Sequence, residues 1–214
     1  MDDRASVRET YDRIADHFAA TREYPWPEVR EFVDGRVGKM ALDVGCGNGR
    51  HVELLCDHAE RVVGLDVSRG LLDAAGRRAD DHGFDAALVQ GDAARLPVRD
   101  AAVDLAVYVA TLHHLPTRES RVASLDELAR VLAPEGRALV SAWSTAHDRF
   151  DRDDGFDTTV DWTLPGGETV ARYYHIYDPA EFDADLAASG LRVESSVVSS
   201  GNCYAVVGPE GKRT

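Results

Sequence analysis

A chain of 214 residues with 44 % hydrophobic content suffices for one core-forming domain, and no apolar run approaches the roughly 18 residues that cross a bilayer. The net charge of −14 is carried by aspartate more than glutamate and by arginine more than lysine, which stands only at Lys39 and Lys212; this predicts a solvated acidic surface of halophilic type. "MDDRASVRETYDR" lacks a signal peptide's apolar core and Cys46, Cys56 and Cys203 form no C-x-x-C pair, so a cytoplasmic chain without disulfide framework or metal site is expected.

"VRETYDRIADHF" places Val7, Tyr11, Ile14 and Phe18 on one helical stripe, and "TREYPWP" then forbids continued helix until a short helical stretch from Glu28. From there strands and helices alternate. "MALDVG" reads as a buried strand, "GRHVELLCDH" as a helix, "RVVGLDV" as a strand and "SRGLLDAAGRRADDH" as a helix capped by Ser68. "DAALVQGD", "AVDLAVYVA", a helix around "RVASLDELARVL" and "GRALVSAWS" continue the rhythm, which implies a parallel, doubly wound α/β sheet. Residues 145–170, rich in Asp, Gly and Thr, interrupt it as a loop or lid. After them "DPAEFDADLAASG" carries an N-cap at Asp178, Pro179 in the first position, a capping box with Glu181 and a stop at Gly190. "LRVESSVVSS" and "CYAVVG" close the chain as a strand pair. One domain over 1–214 is expected: a helical cap (1–37), a ligand-binding core (38–144), the insertion (145–170) and a C-terminal helix with strands (171–214).

"ALDVGCGNGR" joins the first strand to the next helix, where Gly45, Gly47 and Gly49 let the backbone turn tightly against a ligand and the helix N-terminus offers unpaired N–H groups. Arg50 occupies the place where a dinucleotide fingerprint wants glycine, which disfavours NAD, and there is no phosphate loop of the nucleotidase type. Asp66 ends the second strand, placed to accept both hydroxyls of a ribose, and Asp92 ends the third, placed to accept from an adenine amino group. Either acid alone reads as a turn residue; glycine loop and both acids in this order read as an adenosyl site.

The runs "LDVGCGNG", "GLDVS", "QGDAARLP" and "VDLAVYVATLHHL" resemble the successive motifs of the class I S-adenosylmethionine-dependent methyltransferases over about residues 38–140. That resemblance implies a Rossmann-like seven-stranded sheet with one antiparallel strand and an N-terminal helical cap. It places Gly45, Cys46 and Gly47 beside the methionine end of the cofactor, Asp43 toward its amino group, Asp66 on the ribose, Asp92 and Ala93 at the adenine, and Val109 on the cofactor wall.

"YDRIADHFAATREYPWP", "LHHLPTRESR", "SAWS", "RYYHIYDPAEF" and "SGNCYAVV" together resemble the tRNA wobble-uridine methyltransferases, which esterify 5-carboxymethyluridine, including those fused to an AlkB-type oxygenase. The chain departs from that family at Ser120, at Ala146 and His147, and at Asp161, so a relative of the usual acceptor fits as well. Methylating a carboxylate needs no base; it needs desolvation, in-line positioning and a cation for the second oxygen, a role suited to arginine. Arg172 and Arg22 are the candidate clamps, Arg22 serving equally as a partner for the cofactor's carboxylate. Of the two histidines after the fourth strand, His113 is favoured over His114 to face the acceptor. Tyr173, Tyr174, His175, Trp26, Trp143 and Asn202 are candidates to hold a base; Tyr173, Ile176 and Tyr177 read equally well as core residues, and Trp162 as a loop anchor. Two functions follow, a tRNA methyltransferase or a small-molecule O-methyltransferase, with a silent cofactor-binding subunit as a third. The strand near Ala86–Gln90 forms a sheet edge, where the resemblance implies a small zinc-binding activator protein. Acidity argues only weakly against tRNA, because at 1 M salt the Debye length is about 3 Å.

Overall fold

The computed structural model describes residues 3–211; residues 1–2 and 212–214 lie outside it. Helix α1 (Asp3–Ala20) and α2 (Pro27–Val33) precede β1 (Gly38–Val44), α3 (Arg50–Leu55), β2 (Ala59–Asp66), α4 (Arg69–His82), β3 (Ala87–Gln90) and β4 (Val103–Tyr108). A 3-10 turn over Leu112–His114 leads to α5 (Arg118–Val131) and β5 (Leu132–Trp143). Then come β6 (Phe156–Thr163), β7 (Thr169–Ile176), α6 (Pro179–Ala187), β8 (Leu191–Ser199) and β9 (Asn202–Pro209). Seven strands form one sheet in the order β3-β2-β1-β4-β5-β9-β8, with β9 antiparallel to both neighbours and the others parallel. This is the doubly wound sheet with one antiparallel strand that the alternation and the motif resemblance imply.

Period-two alternation divides the core between the two faces. Leu42 and Val44 of β1 with Ala106 and Tyr108 of β4 pack under Leu125 and Leu128 of α5 and Phe182 and Leu186 of α6. Ala41 with Leu105 and Val107 face the other way, toward Val29 and Phe32 of α2 and Val52 and Leu55 of α3. Helix α1 sits across the carboxyl ends of the strands. Its Tyr11, Ile14 and Ala15 pack on Leu71 of α4 and Val170 of β7, while the Asp12 carboxylate accepts from Ser68 Oγ at 2.7 Å and Gly70 N at 3.0 Å. Gly70 is required there, because a Cβ would come within 2.9 Å of the Ala15 Cβ.

The insertion is more ordered than its composition suggests. Residues 156–163 are a strand, paired antiparallel with β7 along its whole length from Phe156↔Ile176 to Thr163↔Thr169, around the turn Leu164-Pro165-Gly166-Gly167. "FDTTVDWT" alternates as a half-buried strand should: Val160 and Trp162 turn inward, Asp157, Thr159 and Asp161 outward. The opening of α6 also differs in part from expectation. Asp178 does cap it, accepting from Ala180 N and Glu181 N, but Glu181 turns away to His175 and Arg121 instead of closing a capping box, and the helix ends with Ala188 as C-cap, before Gly190.

That turn of Glu181 belongs to a charged cluster buried under α5 and α6. The Arg121 guanidinium lies 3.3 Å from Glu181 and 3.6 Å from Asp185, which is fully buried and also accepts from Tyr177 Oη at 3.1 Å and Arg118 Nε at 2.7 Å. Removing one member of a buried pair strands the other charge, whereas the Arg118 side chain is 54 % exposed and its pairing is diluted by water. Arg121→Ala is therefore expected to lower the unfolding free energy by about 3 kcal/mol and Arg118→Ala by under about 1 kcal/mol, read from urea denaturation midpoints.

Candidate active site

A cavity of about 180 Å³ opens at the carboxyl ends of β1, β2 and β4 and is closed from outside by Tyr11 and Phe18 of α1. Its floor is the glycine loop. Gly45, Gly47 and Gly49 all have positive φ (75°, 55° and 79°), and a Cβ on Gly45 would meet Thr111 Oγ1 at 2.1 Å, so only glycine permits the approach of the loop to the residues after β4. The Gly45 and Cys46 N–H groups both donate to Leu65 O, stitching the loop to β2. Cys46 lines the cavity, and burial pushes its thiol pKa up, which makes it a wall rather than a nucleophile.

Asp66 is the hinge of this arrangement. One carboxylate oxygen accepts from Gly47 N at 2.8 Å and the other from Ser68 N at 2.9 Å. Burial raises its pKa to about 6 against the opposing pull of those two N–H groups. Asp92, Ala93 and Val109 line the same cavity, Asp92 accepting from Ala94 N at 2.8 Å. Asp43 lies behind the loop, not on the cavity wall; it is buried, its Oδ2 has no hydrogen-bond partner among the described residues, and burial raises its pKa to about 8 despite the opposing charge of Arg50. A glycine-lined floor, a carboxylate at the end of β2, another at the end of β3 and an orphaned acid oxygen behind the loop fit a ligand that combines ribose, adenine and a charged amino acid.

Above the cavity, β7 divides the candidates in "RYYH" between its two faces. Arg172 and Tyr174 turn toward α1, Arg172 Nη1 donating to Tyr174 Oη at 2.7 Å. Tyr173 and His175 turn the other way: the Tyr173 hydroxyl meets Pro116 O at 3.1 Å and Asp157 at 2.7 Å, and His175 stands between Asp157 and Glu181 at 2.7 and 2.9 Å. A strand sends consecutive side chains to opposite faces, so Tyr173 and His175 meet Asp157, and His175 also Glu181, on the face of β7 away from Arg172 and Tyr174.

The 3-10 turn after β4 places the two histidines differently. His114, not His113, lines the cavity. Its Nδ1–H donates to Tyr173 O at 2.9 Å and its Nε2 then accepts from the Tyr11 hydroxyl at 2.9 Å, a neutral tautomer in keeping with a pKa lowered by burial to about 4. His113 is buried to one side, its Nδ1 accepting from Trp143 N at 3.0 Å, and burial lowers its pKa too. Trp143 packs on Tyr174, Phe150 and His147, one layer out from Arg172. Trp26 packs against Tyr204 and under the Arg50 guanidinium, and Asn202 Nδ2 donates to Ser200 O in the β8–β9 turn; neither is itself a cavity-lining residue, although Trp26 lies behind Arg50 and His51, which are, and Asn202 pairs with Trp143 at the carboxyl end of β5.

Arg22 and Arg172 do come together, over Trp162. Their Cζ atoms lie 5.5 and 4.8 Å from its ring centroid, and Arg22 also lies 4.9 Å from the Phe18 ring. Arg172 is 7 % exposed, and among the described residues its Nε has no hydrogen-bond partner and neither arginine forms an ion pair with an acid. Burial first, and the Arg172 charge second, lower the pKa of Arg22. Tyr11, Phe18 and Thr111 are cavity residues that the sequence does not single out as such. Tyr11 and Phe18 share a stripe with true core residues, and nothing in the stripe separates a core face from a cavity face. Among the described residues no group of three or more His, Cys, Asp or Glu could hold a metal, and no helix is long and apolar enough to cross a membrane.

The buried Asp43 sets a pH dependence in the ligand-free chain. Its folded pKa of about 8 exceeds the ordinary value of 3.8, so the stability it contributes is complete below about pH 4 and is lost as pH rises through about 8. Between about pH 6 and pH 9, Asp43→Asn should escape a loss on the order of 2 kcal/mol that the native chain suffers, measured by urea unfolding at both values.

Comparison with known proteins agrees with this geometry. A methyltransferase domain family matches residues 42–140. A protein of Encephalitozoon cuniculi that carries a provisional methyltransferase name is 33 % identical over 220 residues, covering 97 % of this chain and 99 % of its own. Mouse tRNA (carboxymethyluridine(34)-5-O)-methyltransferase ALKBH8 is 38 % identical over 139 residues, 64 % of this chain; the chain thus spans about a fifth, 20 %, of that relative's length. Among solved structures, DhpI in complex with SAH superposes with a TM-score of 0.74 at 23 % identity, covering 98 % of each chain, which establishes the shared fold. With a relative matched over 97 % of this chain, this fold and a cavity over a glycine loop flanked by Asp66 and Asp92, the chain belongs to the class I S-adenosylmethionine-dependent methyltransferases.

Proposed function

We propose that this enzyme esterifies the carboxylate of 5-carboxymethyluridine, or of a closely related modified uridine, at the wobble position of tRNA. The observation that carries the reading is Arg172: a buried guanidinium that is not itself a lining residue of the methyl-donor cavity but stands next to Tyr11, which is, and beside Arg22, with no acid to neutralise either arginine among the described residues. Two such charges are costly to bury, and an anionic acceptor removes that cost by accepting from both forks. The name of the mouse relative gives its acceptor as carboxymethyluridine, whose side chain ends in a carboxylate of this kind.

S-adenosylmethionine, when bound, supplies the electrophilic methyl group. Asp66 is assigned to the ribose hydroxyls, Asp92 and Ala93 to the adenine, Val109 to the ring's flank, and Gly45, Cys46 and Gly47 with Asp43 behind them to the methionine end. An ionised carboxylate brings its own nucleophilic lone pair, so the protein need remove no proton. The neutral His114 and the Tyr11 hydroxyl whose proton it holds are in keeping with such chemistry, since they shape the wall without adding a charge that would pair with the acceptor. Tyr174 holds Arg172 from one side and Trp143 backs Tyr174 from the other, which fixes the clamp before the acceptor arrives.

The partner expected at the sheet edge belongs to the same proposal. Among the described residues strand β3 pairs only with β2, from Val63↔Ala87 to Asp66↔Gln90, and lies at the edge of the sheet. A small zinc-binding activator protein adding a strand there would also buttress Asp66, which pairs directly with Gln90.

Two measurements test the assignment. Labelled S-adenosylmethionine incubated with tRNA from a strain deleted for this gene, in high salt and with the activator present, should yield a methyl ester on a wobble uridine by nucleoside mass spectrometry. Arg172→Met should lower kcat/KM for tRNA roughly 100-fold, equivalent to about 3 kcal/mol, and an unchanged rate would remove the clamp from the mechanism. Separately, S-adenosylhomocysteine affinity should weaken as pH falls through about 6, because protonating Asp66 removes an acceptor for ribose hydroxyls; Asp66→Asn should flatten that dependence in calorimetry.

A further inference from the structure

Trp162 stands on the insertion hairpin, outside every motif of the cofactor core, yet it touches both arginines of the clamp. Its ring lies 5.5 Å from Phe18 and 5.4 Å from His17 of α1, and its Nε1–H donates to His17 Nδ1 at 3.0 Å. An indole nitrogen can only donate, so this hydrogen bond fixes His17 with Nδ1 unprotonated, and fixes the plane of the indole against α1. The Arg22 and Arg172 guanidiniums both sit over that plane.

We propose that Trp162 and His17 are positioning residues for acceptor recognition: His17 orients the indole, and the indole face holds Arg22 and Arg172 together in place of a carboxylate. The inference rests on the clamp reading given above. Two guanidiniums sharing a partly buried site repel one another and must be held by something. A carboxylate between them would hold them well but would occupy the N–H groups an acceptor needs. An aromatic face attracts a cation through its quadrupole and needs none of its N–H groups, so that among the described residues, beyond the bonds of Arg22 Nη1 to Thr21 and of Arg172 Nη1 to Tyr174, the forks stay clear of any carboxylate. The unpartnered Nε of Arg172 is what such an arrangement leaves behind. Leu is the informative replacement at 162 because it keeps an apolar side chain there and removes the quadrupole. Asn is the informative replacement at 17, because its Oδ1 accepts from roughly the position of Nδ1, whereas Ala leaves the indole N–H without a partner.

The test compares Trp162→Leu, His17→Ala, His17→Asn and Arg172→Met in steady-state methylation of tRNA bearing 5-carboxymethyluridine, each variant first shown by calorimetry to bind S-adenosylhomocysteine with native affinity. Trp162→Leu should raise KM for tRNA about tenfold with kcat changed less than about threefold. His17→Ala should raise KM in the same sense by a smaller factor and His17→Asn should restore it. Competitive inhibition by free 5-carboxymethyluridine should weaken in parallel, with no change for uridine. If Arg172→Met raises KM and Trp162→Leu does not, the positioning role is wrong while the clamp stands; if neither changes KM, the clamp itself is wrong. A Trp162→Leu protein that has lost S-adenosylhomocysteine binding would also overturn the proposal, because the residue would then serve the fold or the cofactor site.

Discussion

A guanidinium buried without a carboxylate is the constraint around which the outer half of this molecule is built. Arg172 has a hydroxyl on one side, Tyr174, and aromatic faces on the others, and every element that contributes one of those faces is held in place by further contacts. Helix α1 packs Phe18 and His17 on the Trp162 ring, and is itself pinned to α4 through Asp12, Ser68 and Gly70. The insertion hairpin supplies Trp162 and is tied to α1 by the Arg13–Glu168 ion pair near its turn. The same helix closes the cavity over the glycine loop with Tyr11 and Phe18, so the cap that covers the methyl donor is also the scaffold of the cationic site.

The two faces of β7 carry opposite solutions to the problem of a buried charge. On one face His175 stands against Asp157 and Glu181, and Arg121 against Glu181 and Asp185, a cluster in which acids and cations satisfy one another and nothing is left to bind. On the other face Arg172 is given aromatic partners only. The first arrangement locks α5 and α6 to the strand; the second keeps a positive site unneutralised next to the cavity wall. Strand periodicity is what keeps them apart, since one residue's shift in register would exchange Arg172 with Tyr173 and bring an arginine to Asp157. Full pairing of β6 with β7 across eight registered positions makes such a shift costly.

Much of this is legible in the sequence, and the parts that are not share a cause. The sheet, the glycine loop and both strand-end acids follow from local pattern: strands of period two, helices with caps such as Ser68, and glycines where the backbone must turn. Gly45, Gly47, Asp66 and Asp92 are legible for the same reason, because each depends on geometry within a few residues of itself. What local pattern does not carry is which face a side chain takes once two elements meet. Adjacency groups Tyr173 and His175 with Arg172, although a strand sends neighbours to opposite sides. Position after the fourth strand favours His113, although the 3-10 turn presents the second histidine to the cavity. The alternation in "FDTTVDWT" and the Pro-Gly-Gly turn after it do mark a hairpin, but a crowd of aspartates obscures a pattern whose apolar residues are Phe156, Val160 and Trp162.

The acidic surface bears on how such a site can select an anion. A net charge of −14 would repel a polyanionic acceptor such as the tRNA proposed above at low ionic strength, and long-range attraction would then not be what brings it in. Salt removes that repulsion over distances beyond about 3 Å at 1 M, but it screens a desolvated pair far less. Raising salt thus weakens the obstacle while leaving the contact with a buried guanidinium nearly intact. For the same reason the site is better served by arginine than by lysine: a weakly hydrated planar fork is less costly to bury and can rest on an indole face while its edge remains free. The charge that matters to recognition is one the bulk solution scarcely reaches, and the aromatic enclosure of Arg172 is what keeps it so.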